Sequence, residues 1–514
     1  MNKGLVYLIG AGPGDPGLLT IKARKVLEEA DVVVYDRLVG AEILAMANPQ
    51  AEFIYVGKIS GRHALPQEEI NRLLVEKAAR GQKVARLKGG DPFLYGRGGE
   101  EAVFVRKHGL EFEIIPGITS AIAVPAYAGI PVTHRDATSS FAVITGHEKP
   151  EKTRSSIHWD KISTGIGTLV FLMGVENLPT ICHELISHGR SPQTPIALVR
   201  WGTLPQQEVL TGTLENIVEK VEAAQFKPPA VIIVGEVVEL REQLKWIESK
   251  PLLGKRVIVT RARAQASALV DKIRQAGGQA IECPSIIIQK EVDREALHAA
   301  FKNLEYYDWL VFTSVNGVDI FLEEMFQHGL DIRDLKGIRL VSIGPATRKR
   351  LEEHGLRVEI MPPEYQAEGI LDQLQKSITP GQWVLLPRAI GARNVLPDTL
   401  KNWGVYMHEI GLYRAVAAQT AGQDLIEEML NGDFDYLTFT SSSTVANFVK
   451  MIGEDNVSRI DPLVKVACIG PITAGTARDM GFTVDVMARE YTIEGLVQAV
   501  VKDAHSATGE ERVQ

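Results

Sequence analysis

The sequence predicts an α/β protein with largely parallel sheets, and two observations support that fold class. Short runs rich in Val and Ile recur along the chain, such as "DVVVYD" (31–36), "TLVFLMG" (168–174) and "RVIVTRAR" (256–263), and they alternate with helical stretches. These runs lack the alternation of a half-exposed strand, as expected of strands buried on both faces. With 514 residues, the chain has room for roughly three or four domain-sized units.

The composition limits the kinds of partner. The net charge of -8 argues against a nucleic-acid partner, but it leaves room for an anionic substrate in a local basic pocket. The three cysteines, Cys182, Cys283 and Cys468, form no C-x-x-C motif, so we expect small buried residues in a reducing cytosol. No apolar run approaches the ~18 residues of a bilayer span, and no signal peptide is recognisable. The histidines have no metal-ligand spacing. We therefore expect a cytoplasmic protein without a metal or membrane partner.

The first predicted strand runs into the glycine-rich loop of "YLIGAGPGDPGLLT" (7–20). A strand followed by glycines and a helix is typical of dinucleotide binding, where backbone N–H groups hold a pyrophosphate. Here Asp15 stands where the third glycine of that motif belongs, and its carboxylate would repel a phosphate. Pro13 has no N–H to donate. The loop therefore favours a nucleoside with a cationic centre and no phosphate, namely S-adenosylmethionine.

Other residues follow predicted strands, where parallel α/β sheets bind ligands. They are Asp36 in "VVVYDRL", Lys58 in "YVGK", Gly89, Gly90 and Asp91 in "RLKGGDPFLYGRGGEE", Thr119 and Ser120 in "PGITSA", Met173 in "FLMG" and Gly202 in "VRWGT". Simpler interpretations exist: a tight turn with a cap for Gly-Gly-Asp, a solvated charge for Lys58 and core packing for Met173. Asp36 also lies where a dinucleotide fold carries its ribose carboxylate, so that role stays open.

In order and spacing, these stretches, with "PQEEIN", "GIPVTHRD" and "AVIIVG", resemble uroporphyrinogen-III C-methyltransferase over about residues 3–246. The resemblance implies two α/β lobes around S-adenosylmethionine, usually as a homodimer. It implies transfer of two methyl groups to uroporphyrinogen III, giving precorrin-2 for sirohaem or cobalamin. It also implies Asp36 as proton acceptor and Lys58 as proton donor. The implied cofactor-site residues are Pro13, Gly89, Gly90, Asp91, Leu94, Thr119, Ser120, Met173 and Gly202.

The tetrapyrrole substrate of that family carries many carboxylates, which arginine side chains are suited to receive. The arginines next to the quoted motifs are Arg37, Arg62, Arg97 and Arg135. We treat these four as candidates for substrate binding.

The main domain boundary is expected near Ser249, within "REQLKWIESKPLLGKR" (241–256), which gives parts 1–248 and 249–514. Beyond it the chain repeats itself. "DWLVFTSVNGVDIF" (308–321) matches "DYLTFTSSSTVANF" (435–448), and "IGPAT" (343–347) matches "IGPIT" (469–473). The second part is therefore expected to contain two similar α/β units, with a cleft between them as the preferred ligand site.

The strand ends of this second part are rich in hydroxyl groups, which are typical of helix N-caps and could also present donors to an anion. Its stretches "RVIVTRA", "VFTSVNGV", "GLYRAV" and "YTIEGLV" resemble uroporphyrinogen-III synthase over about residues 252–505. The resemblance implies two flavodoxin-like lobes, 252–285 with 416–505 and 286–415, joined by a two-stranded ladder. It implies cyclisation of hydroxymethylbilane with loss of water, with Tyr413 and Thr473 acting in the cleft.

The two resemblances together predict one bifunctional enzyme, in which the second part makes the substrate of the first. One alternative is a methyltransferase of the same superfamily acting on another substrate, fused to a non-enzymatic tetrapyrrole-binding module. No stretch resembles the dehydrogenase and chelatase part of sirohaem synthase, so we expect the reaction sequence to stop at precorrin-2.

Overall fold

Four five-stranded sheets form the framework of the chain in a computed structural model. The structure describes residues 4–57, 65–147, 156–260, 263–284, 286–363, 367–417 and 423–510. The chain divides into two compact units: Met1–Val257 with Asp271–Ala280 and Val501–Gln514, and Ile258–Val270 with Ile281–Val500.

The first sheet is entirely parallel. Its strands are β1 (Leu5–Gly10), β2 (Val32–Tyr35), β3 (Glu52–Tyr55), β4 (Val84–Lys88) and β5 (Glu111–Ile115), in the order β3-β2-β4-β1-β5. Its helices are α1 (Ile21–Glu29), α2 (Ala41–Leu44), α3 (Gln67–Ala79) and α4 (Gly98–Lys107). Each face of the sheet is covered by its own apolar cluster, so the strands are buried on both sides. This parallel order brings the carboxyl ends of the strands to one edge.

The second sheet is mixed, whereas the sequence favoured largely parallel sheets. Its strands are β6 (Phe141–Thr145), β7 (Thr168–Leu172), β8 (Pro195–Arg200), β9 (Glu208–Thr213) and β10 (Ala230–Val234), in the order β6-β7-β10-β8-β9. Only the β6–β7 pair is parallel. Loop 201–207 is too short for the crossover that a parallel β8–β9 pair would need. Because β10 runs against both β7 and β8, the carboxyl ends of those two strands still meet at one edge.

In the described part of the chain, the helices that accompany this second sheet are α5 (Ser120–Tyr127), α6 (Trp159–Gly165), α7 (Leu178–Ser187), α8 (Ile217–Ala223) and α9 (Arg241–Leu244). Helix α5 begins where the sequence predicted a helix start, since Thr119 caps it by accepting the Ala121 N–H at 3.2 Å. It packs on the sheet through Ala121 and Val124.

The remaining strands are β11 (Arg256–Val259), β12 (Gln279–Glu282), β13 (Ile286–Lys290), β14 (Trp309–Phe312), β15 (Arg339–Ser342), β16 (Trp383–Ala389), β17 (Tyr406–Ala417), β18 (Tyr436–Phe439), β19 (Lys465–Cys468) and β20 (Val484–Met487). They form two sheets, with the orders β12-β11-β18-β19-β20 and β13-β17-β16-β14-β15. The first order is the flavodoxin arrangement. In the sheet that contains β13, the β13–β17 pair is antiparallel, and the pairs β17–β16, β16–β14 and β14–β15 are parallel.

The helices of this half are α10 (Arg263–Gln275), α11 (Arg294–Lys302), α12 (Val315–Gln327), α13 (Pro345–Glu353), α14 (Ala367–Leu374), α15 (Val395–Asn402), α16 (Gln423–Leu430), α17 (Ser442–Ile452), α18 (Glu454–Ile460), α19 (Pro471–Asp479) and α20 (Ile493–Glu510). The internal repeat folds alike in both copies. In each, a four-residue buried strand leads through a serine N-cap into a helix, with Ser314 capping α12 and Ser441 capping α17. The α/β fold class is therefore confirmed throughout.

All three cysteines are buried, as predicted, and their thiols are free. Burial raises the pKa of Cys182 to about 11, and that of Cys283 and Cys468 to about 12. These thiols therefore stay protonated near neutral pH and behave as small apolar side chains. Among the helices that the structure describes, none combines the length and apolar character of a membrane span.

Candidate active site

The glycine-rich loops after β1 and β4 lie directly against each other. Gly12 and Gly90 exchange two backbone hydrogen bonds, 3.1 and 2.7 Å long. A Cβ on Gly10 would lie 2.4 Å from the Gly117 Cα, and a Cβ on Gly117 would lie 2.2 Å from the Gly90 carbonyl oxygen. The glycine-rich sequence predicted a loop backbone that lies close to a ligand. Part of the close backbone contact in the structure is instead between the protein's own loops. Gly12 and Gly90 also have φ of 78° and 68°, which glycine adopts without strain.

We call the contact between the loops after β1, β4 and β5 the loop crossing. Several residues predicted for the cofactor site lie around this crossing. A Cβ on Gly90 would face the Ser120 nitrogen and the Thr119 Cα, both at 3.8 Å, and a Cβ on Gly89 would meet Leu38. Pro13 follows Gly12 and is half-buried. The loop after β4 and the start of α5 therefore share one edge of the first sheet with the opening loop.

Asp91 organises this edge by hydrogen bonding to the backbone. Its Oδ1 accepts the N–H groups of Phe93 and Leu94 at 2.8 and 3.1 Å, and its Oδ2 accepts the Gly117 N–H at 3.1 Å. The contacts with Phe93 and Leu94 are those of a turn and cap, and the contact with Gly117 joins this turn to the loop after β5. Leu94 packs against the core of the second sheet, and the Tyr95 hydroxyl donates to the Val143 carbonyl at 2.9 Å. The segment after β4 therefore connects the two sheets of the first unit.

Asp15 forms a second connection between the two sheets. Its carboxylate accepts the Gly17 N–H at 2.7 Å and the Tyr127 hydroxyl at 2.6 Å. Its own N–H donates to the Thr203 hydroxyl at 3.2 Å. Desolvation and the Asp15 carboxylate together raise the pKa of the Tyr127 phenol. The residue that breaks the dinucleotide motif is therefore a structural clamp on the opening loop, which the sequence did not predict.

Strained backbone is concentrated in the loops after β4, β7 and β8. The non-glycine residues there with positive φ are Tyr95 (55°), Arg97 (59°), Met173 (57°), Trp201 (46°) and Thr203 (74°). Such conformations cost about 1–3 kcal/mol each and are typical of functional sites. Met173 is 54% exposed, so it is not the core residue that the simpler interpretation expected. A Cβ on Gly202 would lie 2.4 Å from Val124 of α5, so only glycine fits there.

Asp36 lies directly after β2, as predicted. Its Oδ1 accepts the Leu38 N–H at 3.1 Å, and its Oδ2 lies 3.5 Å from the Nη2 of Arg86. The side chain is 27% exposed, so the carboxylate is held by the protein and still accessible. Lys58 lies outside the described residues.

Of the four candidate arginines, Arg62 also lies outside the described residues. Arg37 and Arg135 are exposed. Arg97 forms an ion pair with Glu100 at 2.6 Å, which occupies part of its guanidinium.

In the second unit, the Tyr413 hydroxyl lies 2.8 Å from the Ser314 hydroxyl, and Tyr413 is 6% exposed. Burial raises the pKa of Tyr413, although hydrogen bonds with Ser314 and Asn316 oppose the rise. Thr473 is buried in the first turn of α19, whose N-cap is Gly470. Thr473 is therefore no cap, unlike Ser314 and Ser441, and none of the hydrogen bonds among the described residues joins it to Tyr413.

Sequence reasoning missed the buried ionic groups behind Asp36, namely Arg86, Lys88 and Glu101. Burial lowers the pKa of Lys88, with the nearby Arg86 charge acting in the same direction. The charged residues within the otherwise apolar strand sequence "RLK" were the feature of the sequence that could have indicated this buried ionic group. Among the described residues, no group of three or more His, Cys, Asp or Glu side chains is placed to bind a metal.

Each half of the chain matches a known protein family. Residues 5–218 match the family of Tetrapyrrole (Corrin/Porphyrin) Methylases, and residues 267–498 match Uroporphyrinogen-III synthase HemD. The chain is 37% identical over 502 residues to the porphyrin biosynthesis protein HemD of Ruminiclostridium josui, covering 98% of both chains. It is 44% identical over 365 residues to the uroporphyrinogen-III C-methyltransferase of Bacillus subtilis (strain 168), covering 71% of this chain and 74% of that one.

A solved structure is also similar to the first half. Uroporphyrin-III C-methyl transferase from Thermus thermophilus, complexed with S-adenyl homocysteine, has 43% identity and a TM-score of 0.41, covering 46% of this chain and 100% of its own.

The fold, the strand-end site and the two family matches define a bifunctional α/β enzyme of tetrapyrrole biosynthesis. Since the similarity to the Ruminiclostridium josui protein extends over both halves, the chain belongs to the family in which an S-adenosylmethionine-dependent tetrapyrrole methylase is joined to a uroporphyrinogen-III synthase.

Proposed function

We propose that the second half cyclises hydroxymethylbilane to uroporphyrinogen III, and that the first half methylates this product twice to give precorrin-2. The observation that carries the proposal is a glycine-lined strand-end site with an accessible carboxylate, Asp36, in a chain matched along both halves. Precorrin-2 would then serve sirohaem or cobalamin synthesis. A cytoplasmic homodimer, formed through the methyltransferase half, completes the proposal.

The first-sheet edge fits S-adenosylmethionine better than a dinucleotide. The opening loop carries the Asp15 carboxylate and lacks an N–H at Pro13, which disfavours a pyrophosphate. Gly90 has no side chain to cover the backbone next to Thr119 and Ser120, which suits the close approach of a nucleoside. The residues proposed to hold the cofactor are Pro13, Gly89, Gly90, Asp91, Leu94, Thr119, Ser120, Met173 and Gly202.

When bound, S-adenosylmethionine supplies an electrophilic methyl group to an electron-rich tetrapyrrole carbon. The methylated ring must then lose a proton. In our proposal the free face of the Asp36 carboxylate accepts that proton, while the Leu38 N–H and Arg86 hold the carboxylate in place. The resemblance adds Lys58 as a proton donor. Arg37 and Arg135 are exposed and suited to the substrate's carboxylates, and Arg97 would have to share its charge with Glu100.

For cyclisation, we propose that Tyr413 assists departure of the substrate hydroxyl. Tyr413 is protonated near neutral pH, as tyrosines ordinarily are, and burial raises its pKa further, so it can donate a hydrogen bond or a proton. Ser314 orients the phenol at 2.8 Å. Thr473 is the second residue that the resemblance assigns to this site.

Separate assays of cyclisation and methylation test the two parts of the proposal. The full chain is supplied with hydroxymethylbilane alone, and the isomer of the product is determined by chromatography. It is then supplied with uroporphyrinogen III and S-adenosylmethionine, and methylation is followed by mass spectrometry. We expect the type III isomer in the first reaction and a doubly methylated product in the second. Failure of either reaction would reject the activity proposed for that half.

A further inference from the structure

Three charged side chains are buried behind Asp36, between β4 and α4. Arg86 and Lys88 lie two residues apart on β4 and therefore point to the same face of the sheet. Glu101 of α4 is fully buried against them. Its Oε1 lies 3.2 Å from the Arg86 Nε and 2.9 Å from the Lys88 Nζ. Buried charges are costly unless they are paired, so this group needs a reason to be retained.

The charges inside this group do not cancel. Two cations share one carboxylate, and both bind the same oxygen of Glu101, which also accepts the Gln67 amide at 3.1 Å. The other oxygen of Glu101 is buried and accepts no hydrogen bond from the residues that the structure describes. The second negative charge near the group is Asp36, whose Oδ2 faces Arg86. The Arg86 guanidinium therefore directs its positive charge toward the carboxylate of the site.

The guanidinium of Arg86 cannot easily turn away. Its Nε is bound by Glu101, and its Nη1 donates to the carbonyls of Val34 and Leu87 at 3.4 and 3.1 Å. Val34 is the β2 residue that pairs in register with Arg86. With three directions occupied, the Nη2 group is left facing Asp36 at 3.5 Å.

We propose that Arg86 is the positioning residue of Asp36, and that Glu101 holds Arg86 in that role. Arg86 and the Leu38 N–H each hold one oxygen of the carboxylate, so its orientation is fixed before substrate binds. The inference rests on the proposed proton-accepting role of Asp36. A purely structural role would instead make Arg86 matter equally whether or not Asp36 can accept a proton.

A double-mutant cycle in the full chain tests this inference. Arg86→Gln and Arg86→Lys are made in the natural sequence, and Arg86→Gln is also combined with Asp36→Asn. Methylation of uroporphyrinogen III gives kcat and KM, and calorimetry gives the affinity for S-adenosylhomocysteine. Arg72→Gln removes an exposed arginine of the same lobe and is the matched control. Cyclisation of hydroxymethylbilane checks the folding of the other half.

We expect Arg86→Gln to lower kcat about 10- to 100-fold, because a misplaced reacting group costs up to about 10²-fold in rate. KM and cofactor affinity should stay within about twofold, and Arg86→Lys should recover part of the rate because it keeps the charge. In the Asp36→Asn background, Arg86→Gln should cost less than about twofold more, since groups that act as a unit are not additive.

Equal losses in both backgrounds, or weakened cofactor binding parallel to the rate, would overturn the inference in favour of a structural role. If Arg86→Gln does not fold, Glu101→Gln is used in the same cycle, and the same non-additivity is required. Should Asp36→Asn keep full methylation, the proposed role of Asp36 fails and this inference with it. Should Asp36→Asn abolish methylation while Arg86→Gln leaves kcat unchanged, only the inference fails.

Discussion

Asp36 is the side chain that carries the proposed methylation chemistry. Its carboxylate is held on one side by the Leu38 N–H and Arg86 and is 27% exposed, as a proton acceptor must be. Asp36→Asn keeps the shape but cannot take a proton. We expect methylation to fall about 10²–10⁴-fold, the usual contribution of a general base. Affinity for S-adenosylhomocysteine, measured by calorimetry, should be retained.

The same variant separates two roles for Asp36. If the residue were a ribose ligand, as in a dinucleotide fold, Asp36→Asn would mainly weaken cofactor binding. Near-normal turnover at saturating cofactor, together with much weaker binding, would therefore move Asp36 from the base to the binding site. Unchanged cyclisation shows that the second half of the variant is folded, and retained turnover or retained cofactor affinity shows the same for the first half.

Tyr413 is the corresponding residue of the second half. Tyr413→Phe removes the hydroxyl that faces Ser314 and leaves the buried ring in place. We expect cyclisation of hydroxymethylbilane to slow by about tenfold, less than the about 10²–10⁴-fold that acid–base groups usually contribute, because folding of a reactive substrate does much of the work. Methylation of supplied uroporphyrinogen III should not change. Undiminished cyclisation at every substrate concentration would remove Tyr413 from the mechanism.

The buried tyrosine also predicts a pH dependence. Since burial raises the pKa of Tyr413, its protonated form persists to a higher pH than that of a free tyrosine, which ionises near about 10. Cyclisation should therefore show little loss from phenol ionisation between about pH 7 and 10, although a free tyrosine would be about half ionised at the upper end of this range. Rate profiles of the natural chain and Tyr413→Phe should be parallel over this range, and a decline specific to the natural chain would contradict the assignment.

At the scale of elements, the site depends on the crossing of the loops after β1, β4 and β5. Gly117→Ala places a Cβ 2.2 Å from the Gly90 carbonyl oxygen, so backbone must move. We expect a loss of about 1–3 kcal/mol in stability, as for other overpacked sites, with weaker binding of S-adenosylhomocysteine. Gly99→Ala is the matched control, since no atom of the described residues lies within 4 Å of its added Cβ. Thermal unfolding and calorimetry of both variants give the comparison, and equal behaviour would contradict the importance of this crossing.

Local sequence predicted the strand ends well, because each depends on neighbouring residues alone. Asp36 after β2, Gly89 after β4 and the Thr119 cap of α5 all lie where the pattern indicated. The clamp between Asp15 and Tyr127 and the pairing of Arg86 with Glu101 were not predictable, because each joins residues from separate elements.

The mixed second sheet was missed for a related reason. Strands β7, β8 and β10 are apolar runs buried on both faces, and that pattern carries no information about strand direction. The hydroxyl-rich strand ends of the second half are typical of helix N-caps, but a hydroxyl side chain caps the helix at only two of the four positions. Serine caps α12 and α17, while glycine caps α13 and α19.

At the scale of the whole molecule, the two halves should work separately. All strands of the first two sheets lie between residues 5 and 234, before the predicted boundary. We expect a fragment of residues 1–248 to methylate supplied uroporphyrinogen III, and a fragment of residues 250–514 to cyclise hydroxymethylbilane. If both fragments are insoluble or inactive while the full chain works, the predicted division into two parts is wrong.

The most direct test of the bifunctional enzyme is a single reaction of the natural full chain with hydroxymethylbilane and S-adenosylmethionine that carries deuterated methyl groups. Mass spectrometry of the tetrapyrrole product reads both activities at once. We predict precorrin-2 with two labelled methyl groups, formed without added uroporphyrinogen III. An unmethylated product would contradict the proposed methylation. A cyclic product whose last ring is not inverted, formed no faster than in a control without protein, would contradict the proposed cyclisation.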